Sequence, residues 1–128
     1  MLDFGDIFYI DDKEYVWLWS DGEIIDAAVI LGSKETEEVK RFQKRADKKG
    51  TSHQKPLFCY VELNTEDYIN CSANMIVAAQ KGIKLSPSIR STSKRLNNED
   101  LKDIKNEIIE YKELFKEPLV VYMESIAL

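Results

Sequence analysis

The stretch SDGEIIDAAVILG, Ser20 to Gly32, decides how the rest of the chain is read. Its first residues are a tight turn, in which Gly22 supplies a positive φ at no steric cost. EIIDAAVIL then reads as a strand that is apolar on both faces at its centre, so part of it should be covered on both sides. Asp26 alone breaks the run. A carboxylate there is either solvated on an exposed strand face or part of a site.

Upstream, GDIFYI (Gly5–Ile10) and YVWLW (Tyr15–Trp19) are rich in aromatic and β-branched residues and flank the polar turn DDKE. The first third therefore reads as a β-meander. Downstream the period changes. In KETEEVKRFQKRADKKG (Lys34–Gly50), Val39, Phe42 and Ala46 recur at helical spacing. Glu35, Glu37 and Glu38 come early and Lys44, Arg45, Lys48 and Lys49 late, which complements the helix dipole, and Gly50 suits the position after the last turn. TSHQKP is a loop, LFCYVEL (Leu57–Leu63) a strand, NTEDYINCSANM a turn region, and MIVAA (Met75–Ala79) another strand. KGIKLSPSIRSTSK is basic and Ser-rich, without clear periodicity.

NNEDLKDIKNEIIEYKELF carries the strongest helical stripe: Leu101, Ile104, Ile108, Tyr111 and Phe115. Asn97 or Asn98 can cap it, Glu99 and Asp100 occupy its first turn, and Pro118 stops it. LVVYME (Leu119–Glu124) reads as a final strand. The expected fold is α+β: a small, mostly antiparallel β domain with one inserted helix and a C-terminal helix followed by a last strand.

The chain of 128 residues is one domain by length, 1–128, with an ordinary globular composition. No apolar run approaches a membrane span, and the N-terminus MLDFGDIFYIDD has no basic and apolar leader, so a cytoplasmic protein is expected. Cys59 and Cys71 match no metal or redox spacing and read as buried thiols. With His53 the only histidine, a structural zinc site is nearly excluded, and no cofactor is implied. The net charge of −5 is unevenly spread: residues 40–95 carry 12 Lys/Arg against 4 Asp/Glu, while the flanks carry 6 against 19. That asymmetry admits an anionic partner for the middle of the chain, or simply a solvated face.

The richest polar cluster is RADKKGTSHQK, which brings Arg45, Lys48, Lys49, Thr51, Ser52, His53 and Lys55 together. Histidine can move a proton near neutral pH, and arginine or lysine can hold a phosphate as its charge develops. This is a kit for RNA cleavage without metal, in which the RNA 2′-OH is the nucleophile; it is equally a polar loop after a helix with a basic end. Tyr9, Tyr15, Trp17 and Trp19 offer either stacking faces for bases or core partners. Lys81, Lys84, Arg90, Lys94 and Arg95 form a second basic block, suited to a phosphate backbone or an acidic protein.

The order of these pieces resembles the MazF/PemK family of toxin–antitoxin ribonucleases. FGDIFYID is similar to the family's opening GDI strand, DAAVILG to its RPAVVIS strand, and SIRSTSKRLNNEDLKDIKNEI to its closing basic stretch and LSxEEL helix start. Together these cover about half of the chain. The resemblance implies an SH3-like barrel, a homodimer that cuts single-stranded RNA without metal, and an antitoxin partner. The family's catalytic arginine and the proline after it fall on Asp26 and Ala27, so the charge is reversed. Thr51 is the nearest match to the family's second catalytic residue, a Thr or Ser.

Two functions are expected from this. One is a toxin-like, metal-independent endoribonuclease, with Arg45, Thr51 and His53 catalytic and Arg41, Lys48, Lys49, Lys55, Lys84, Arg90 and Arg95 binding RNA. The other is a non-catalytic SH3-like module that binds a protein or nucleic acid through residues 81–95.

Overall fold

The computed structural model describes residues 2–48, 60–65, 74–84 and 88–128. β1 (Asp6–Ile10), β2 (Lys13–Ser20) and β3 (Ile24–Leu31) form the expected meander. Asp11, at φ 55°, reverses the chain between β1 and β2. Between β2 and β3, Gly22 takes φ 102°, and the Asp21 carboxylate accepts the Glu23 and Ile24 amides, each at 2.8 Å. Those amides hold the Asp21 carboxyl below the usual carboxylate range. The Ser20 hydroxyl donates to the Ile24 carbonyl at 2.9 Å and closes the turn.

α1 (Ser33–Lys48) follows, then β4 (Tyr60–Glu62), β5 (Asn74–Lys84), β6 (Arg90–Arg95), α2 (Asn98–Glu110), a 3-10 turn (Lys112–Leu114) and α3 (Glu117–Ser125). The sheet is six-stranded with order β4-β5-β3-β2-β1-β6, and each pairing is antiparallel. The class is α+β, as expected. Among the described residues the sheet is open, with β4 and β6 at its two edges.

β3 is one of the two central strands and is covered on both faces, as its composition required. Ala28 joins Ile7, Val16 and Leu18 beneath Leu101, Ile104 and Ile108 of α2 and Leu119, Val120 and Met123 of α3. On the opposite face Ile25 and Ala27 pack with Phe8 and Tyr15, and Ile83 and Ile89 lie against them. Each such aliphatic or aromatic side chain withdrawn from water contributes about 1.5–3 kcal/mol before entropy is counted.

The helical layer is held by its caps. The Asn97 side chain accepts the Asp100 amide at 2.9 Å, so Asn97 is the cap. Asp100, fully buried, accepts the Asn64 and Thr65 amides at 2.8 Å and the Thr65 hydroxyl at 2.5 Å. Thr65 in turn accepts the Asn97 amide at 2.9 Å. This clasp ties the end of β4 to the start of α2. At Gly5, φ is 92°, and an added Cβ would lie 2.5 Å from Leu101 Cδ2. Glycine is needed there for conformation and for space.

Three expectations are corrected. Leu119–Glu124 is not a strand: Glu117–Ser125 is helical, with Pro118 in its first turn. Proline starts a helix as readily as it stops one, and the burial of Leu119, Val120 and Met123 is helical spacing that the valine pair obscured. The main C-terminal helix ends at Glu110 rather than running to Phe115, which reaches the core through the 3-10 turn. The basic segment is largely strand, since β5 extends to Lys84 and β6 covers Arg90–Arg95. β6 shows no alternation because five of its six residues are exposed. Of the expected Leu57–Leu63 strand, Tyr60–Glu62 is observed; Cys59, Cys71 and most of the turn region between β4 and β5 lie outside the described residues.

Candidate functional site

Asp26 sits in the middle of β3, between Trp19 of β2 and Gly82 of β5. Its alternation with Ile25 and Ala27 turns it to the helix-covered face, where it is fully buried. Lys116, immediately before α3, brings its Nζ to 2.8 Å from Asp26 Oδ1. The contact is a close ion pair that is not aligned as a hydrogen bond, and neither carboxylate oxygen has a hydrogen-bond partner among the described residues. The question raised by the sequence is thereby answered: Asp26 is neither solvated nor open to a substrate. It is the buried half of an ion pair that fixes the entry to α3 on the sheet.

Of the cationic residues expected to bind RNA, the four with described side chains, Arg41, Lys84, Arg90 and Arg95, do not converge. Arg41 and Arg45 lie exposed on α1, with the Arg45 guanidinium 6.0 Å from the centre of the Phe42 ring. Phe42, expected in the helix's apolar stripe, is 55% exposed. Lys48 is the last residue of α1, and Lys49, Thr51, His53 and Lys55 lie outside the described residues. Lys84 pairs with Ile24, at the β2–β3 turn end of the sheet. Arg90 pairs with Tyr9, at the opposite end. Arg95 returns to the first end and is bound to Asp6 at 2.9 Å. From β5, which carries Lys84, to β6 there are four strand spacings, about 19 Å.

The aromatic residues separate cleanly. Tyr15 stacks on Phe8 with ring centres 5.7 Å apart, and Trp17 meets Phe8 edge-on at 6.0 Å. Both belong to the core beneath the sheet or its margin, and Trp19 packs partly against the helical side. Tyr9 alone is open, at 38% exposure. It lines a cleft of about 650 Å³ together with Asp11, Asp12, Ser88 and Arg90. Nothing in the sequence pairs the β1–β2 turn with residues nearly eighty positions later; only the return of β6 to β1 does so.

A second cleft, of about 420 Å³, lies between β4 and α2 and is lined by Val61, Glu62, Asn64, Asp103, Asn106 and Glu107. Burial, reinforced by the Glu110 charge, pushes the Glu107 carboxyl above its usual range. Lys40 reaches across from α1 to Glu62 at 2.9 Å. Among the described residues no group of acidic, cysteine or histidine side chains is arranged to hold a metal, and no helix is long and apolar enough to cross a membrane.

Comparison of the chain with family models, with curated proteins and with solved structures finds no match.

Proposed function

We propose that this chain is a MazF/PemK-like domain that binds single-stranded RNA without cutting it. The observation that carries the reading is the state of Asp26. At the position where the resemblance calls for a catalytic arginine, a carboxylate lies fully buried and paired with Lys116. A phosphate could not approach it, and no cation stands in its place on that strand among the described residues. An SH3-like ancestry of the open sheet is supported by the return of the last strand to the first and by apolar cover on both faces of β3.

Binding is supported by β6. Arg90-Ser-Thr-Ser-Lys-Arg95 is an edge strand of cations and hydroxyls that gives almost nothing to the core. Its Thr92 hydroxyl anchors it by donating to the Ile7 carbonyl at 2.8 Å. Charge on an edge strand also guards against sheet-to-sheet pairing, but the local excess of Lys/Arg suits a polyanion. The exposed Tyr9 beside Arg90 adds one aromatic face for a base.

The ribonuclease reading, with Arg45, Thr51 and His53 as its site and an antitoxin as its partner, keeps one observation in its favour. Arg41, Lys44 and Arg45 are exposed on the last turns of α1, just ahead of Thr51 and His53. Fluorescence anisotropy of a labelled RNA oligonucleotide, titrated with the protein at several salt concentrations, tests the binding claim. Affinity should fall steeply with salt and should drop on Arg90→Glu and Lys94→Glu. Absence of any binding at low salt would overturn it.

A further inference from the structure

We propose that the cleft at the β1–β2 turn is a nucleotide pocket selective for guanine. The inference deepens the RNA-binding reading and rests on it wherever the ligand is a polymer.

Four groups of different chemistry meet in this cleft. Tyr9 of β1 and Arg90 of β6 are direct partners in the β1–β6 register, so their side chains leave the same face of the sheet. The turn that follows β1 sets Asp11 and Asp12 at the same cleft, and Ser88 closes it from the β6 side. The left-handed backbone at Asp11 fixes the turn; aspartate tolerates that conformation better than most residues. The side chains of Tyr9, Asp11, Asp12 and Arg90 make no hydrogen bond or ion pair with any other described residue. Each alone is an ordinary surface residue. Their convergence on one cavity of about 650 Å³ is the feature that points to a ligand.

The ligand must offer a flat face, an anionic group and hydrogen-bond donors on one edge. A nucleotide does: its base can lie on the Tyr9 ring and its phosphate against the Arg90 guanidinium. The carboxylates then choose the base, because an ionised aspartate only accepts hydrogen bonds. Guanine alone carries two adjacent donors, N1–H and N2–H, that match the two oxygens of one carboxylate. Adenine and cytosine place a ring-nitrogen acceptor beside their single amino donor, and uracil flanks its one N–H with two carbonyls. For those three bases a carboxylate oxygen faces another acceptor.

Isothermal titration of the whole protein with the four nucleoside 5′-monophosphates is the first arm. GMP should bind at least tenfold more tightly than UMP, and Tyr9→Ala should weaken it about tenfold. Asp11→Asn or Asp12→Asn should abolish the preference while leaving the fold intact, since asparagine keeps the turn. Equal affinity for all four nucleotides, or indifference to Tyr9→Ala, overturns the proposal. The second arm uses a uridine-only RNA oligonucleotide and one containing a single guanosine. Discrimination among mononucleotides with no binding of either oligonucleotide supports the pocket and rejects the RNA reading. Oligonucleotides bound alike, with Tyr9→Ala inert, reject the pocket and leave the RNA reading standing.

Discussion

Lys116 Nζ and Asp26 Oδ1 lie 2.8 Å apart across the boundary between α3 and the sheet. The pair is asymmetric: Asp26 is fully buried, while the Lys116 side chain is 43% exposed and keeps contact with water. Burying a carboxylate is costly, and one cation at close range offsets only part of the cost. The pair consequently specifies where α3 docks more than it stabilises the fold.

Removing one partner should therefore hurt more than removing both. Lys116→Ala leaves a buried, uncompensated charge and should destabilise by about 3 kcal/mol, below the ceiling for a pair fully withdrawn from water. The double variant Asp26→Ala, Lys116→Met should recover most of that loss. Urea unfolding of the three proteins checks the order. A Lys116→Ala protein within about 0.5 kcal/mol of the parent would mean that the pair does not hold α3.

Gly5→Ala should destabilise by about 2 kcal/mol or more, because it strains a left-handed backbone and drives Cβ into Leu101. Adding Leu101→Ala should relieve the contact but not the strain. Thermal unfolding of the single and double variants separates the two contributions; if Gly5→Ala were neutral, α2 would approach that turn less closely than the Gly5–Leu101 contact requires.

Asp100→Ala should cost about 2–3 kcal/mol, since it leaves the Asn64 and Thr65 amides and the Thr65 hydroxyl without their charged acceptor. Hydrogen exchange should quicken first at Asn64 and Thr65 and at the start of α2. Loss of protection spread evenly over the sheet would instead indicate that the clasp is not local.

Glu107 gives a pH signature. Its carboxyl titrates above its usual value of 4.5 because of burial and the neighbouring Glu110 charge. The folded state therefore holds this proton more firmly than the unfolded chain, and that contribution to stability is present at low pH and lost as pH rises through the folded value. Glu107→Gln should raise the Tm at pH 7 and flatten this part of the pH profile. An unchanged Tm at pH 7 would show that water screens the site.

Much of this architecture was legible in the sequence where burial follows a period. The two-sided apolar run of β3 and the Leu101–Ile104–Ile108 stripe signal their state locally and are observed as read, and the cap, expected at Asn97 or Asn98, falls on Asn97. β6 gave no such signal, because a strand whose side chains nearly all face water has no alternation to detect. α3 misled in the opposite sense: two adjacent valines favour a strand in isolation, and packing of Leu119, Val120 and Met123 on the core overrides that preference. The Tyr9–Arg90 cleft depends on a strand pairing between the first and last parts of the sheet, which no short-range spacing encodes. Asp26 was visible as an anomaly, but its partner was not. In the sequence Lys116 looks like any other lysine at a helix end; only the docking of α3 gives it a buried partner.

The proposed function is binding of RNA without cleavage. The most direct measurement is to incubate the purified protein in EDTA with a mixed single-stranded RNA, at a concentration where anisotropy shows the RNA bound, and then map the RNA ends. RNA should remain full-length after prolonged incubation, with the parent protein and with His53→Ala alike. Reproducible cuts that disappear in His53→Ala would contradict it and establish a metal-independent ribonuclease whose site lies beyond α1.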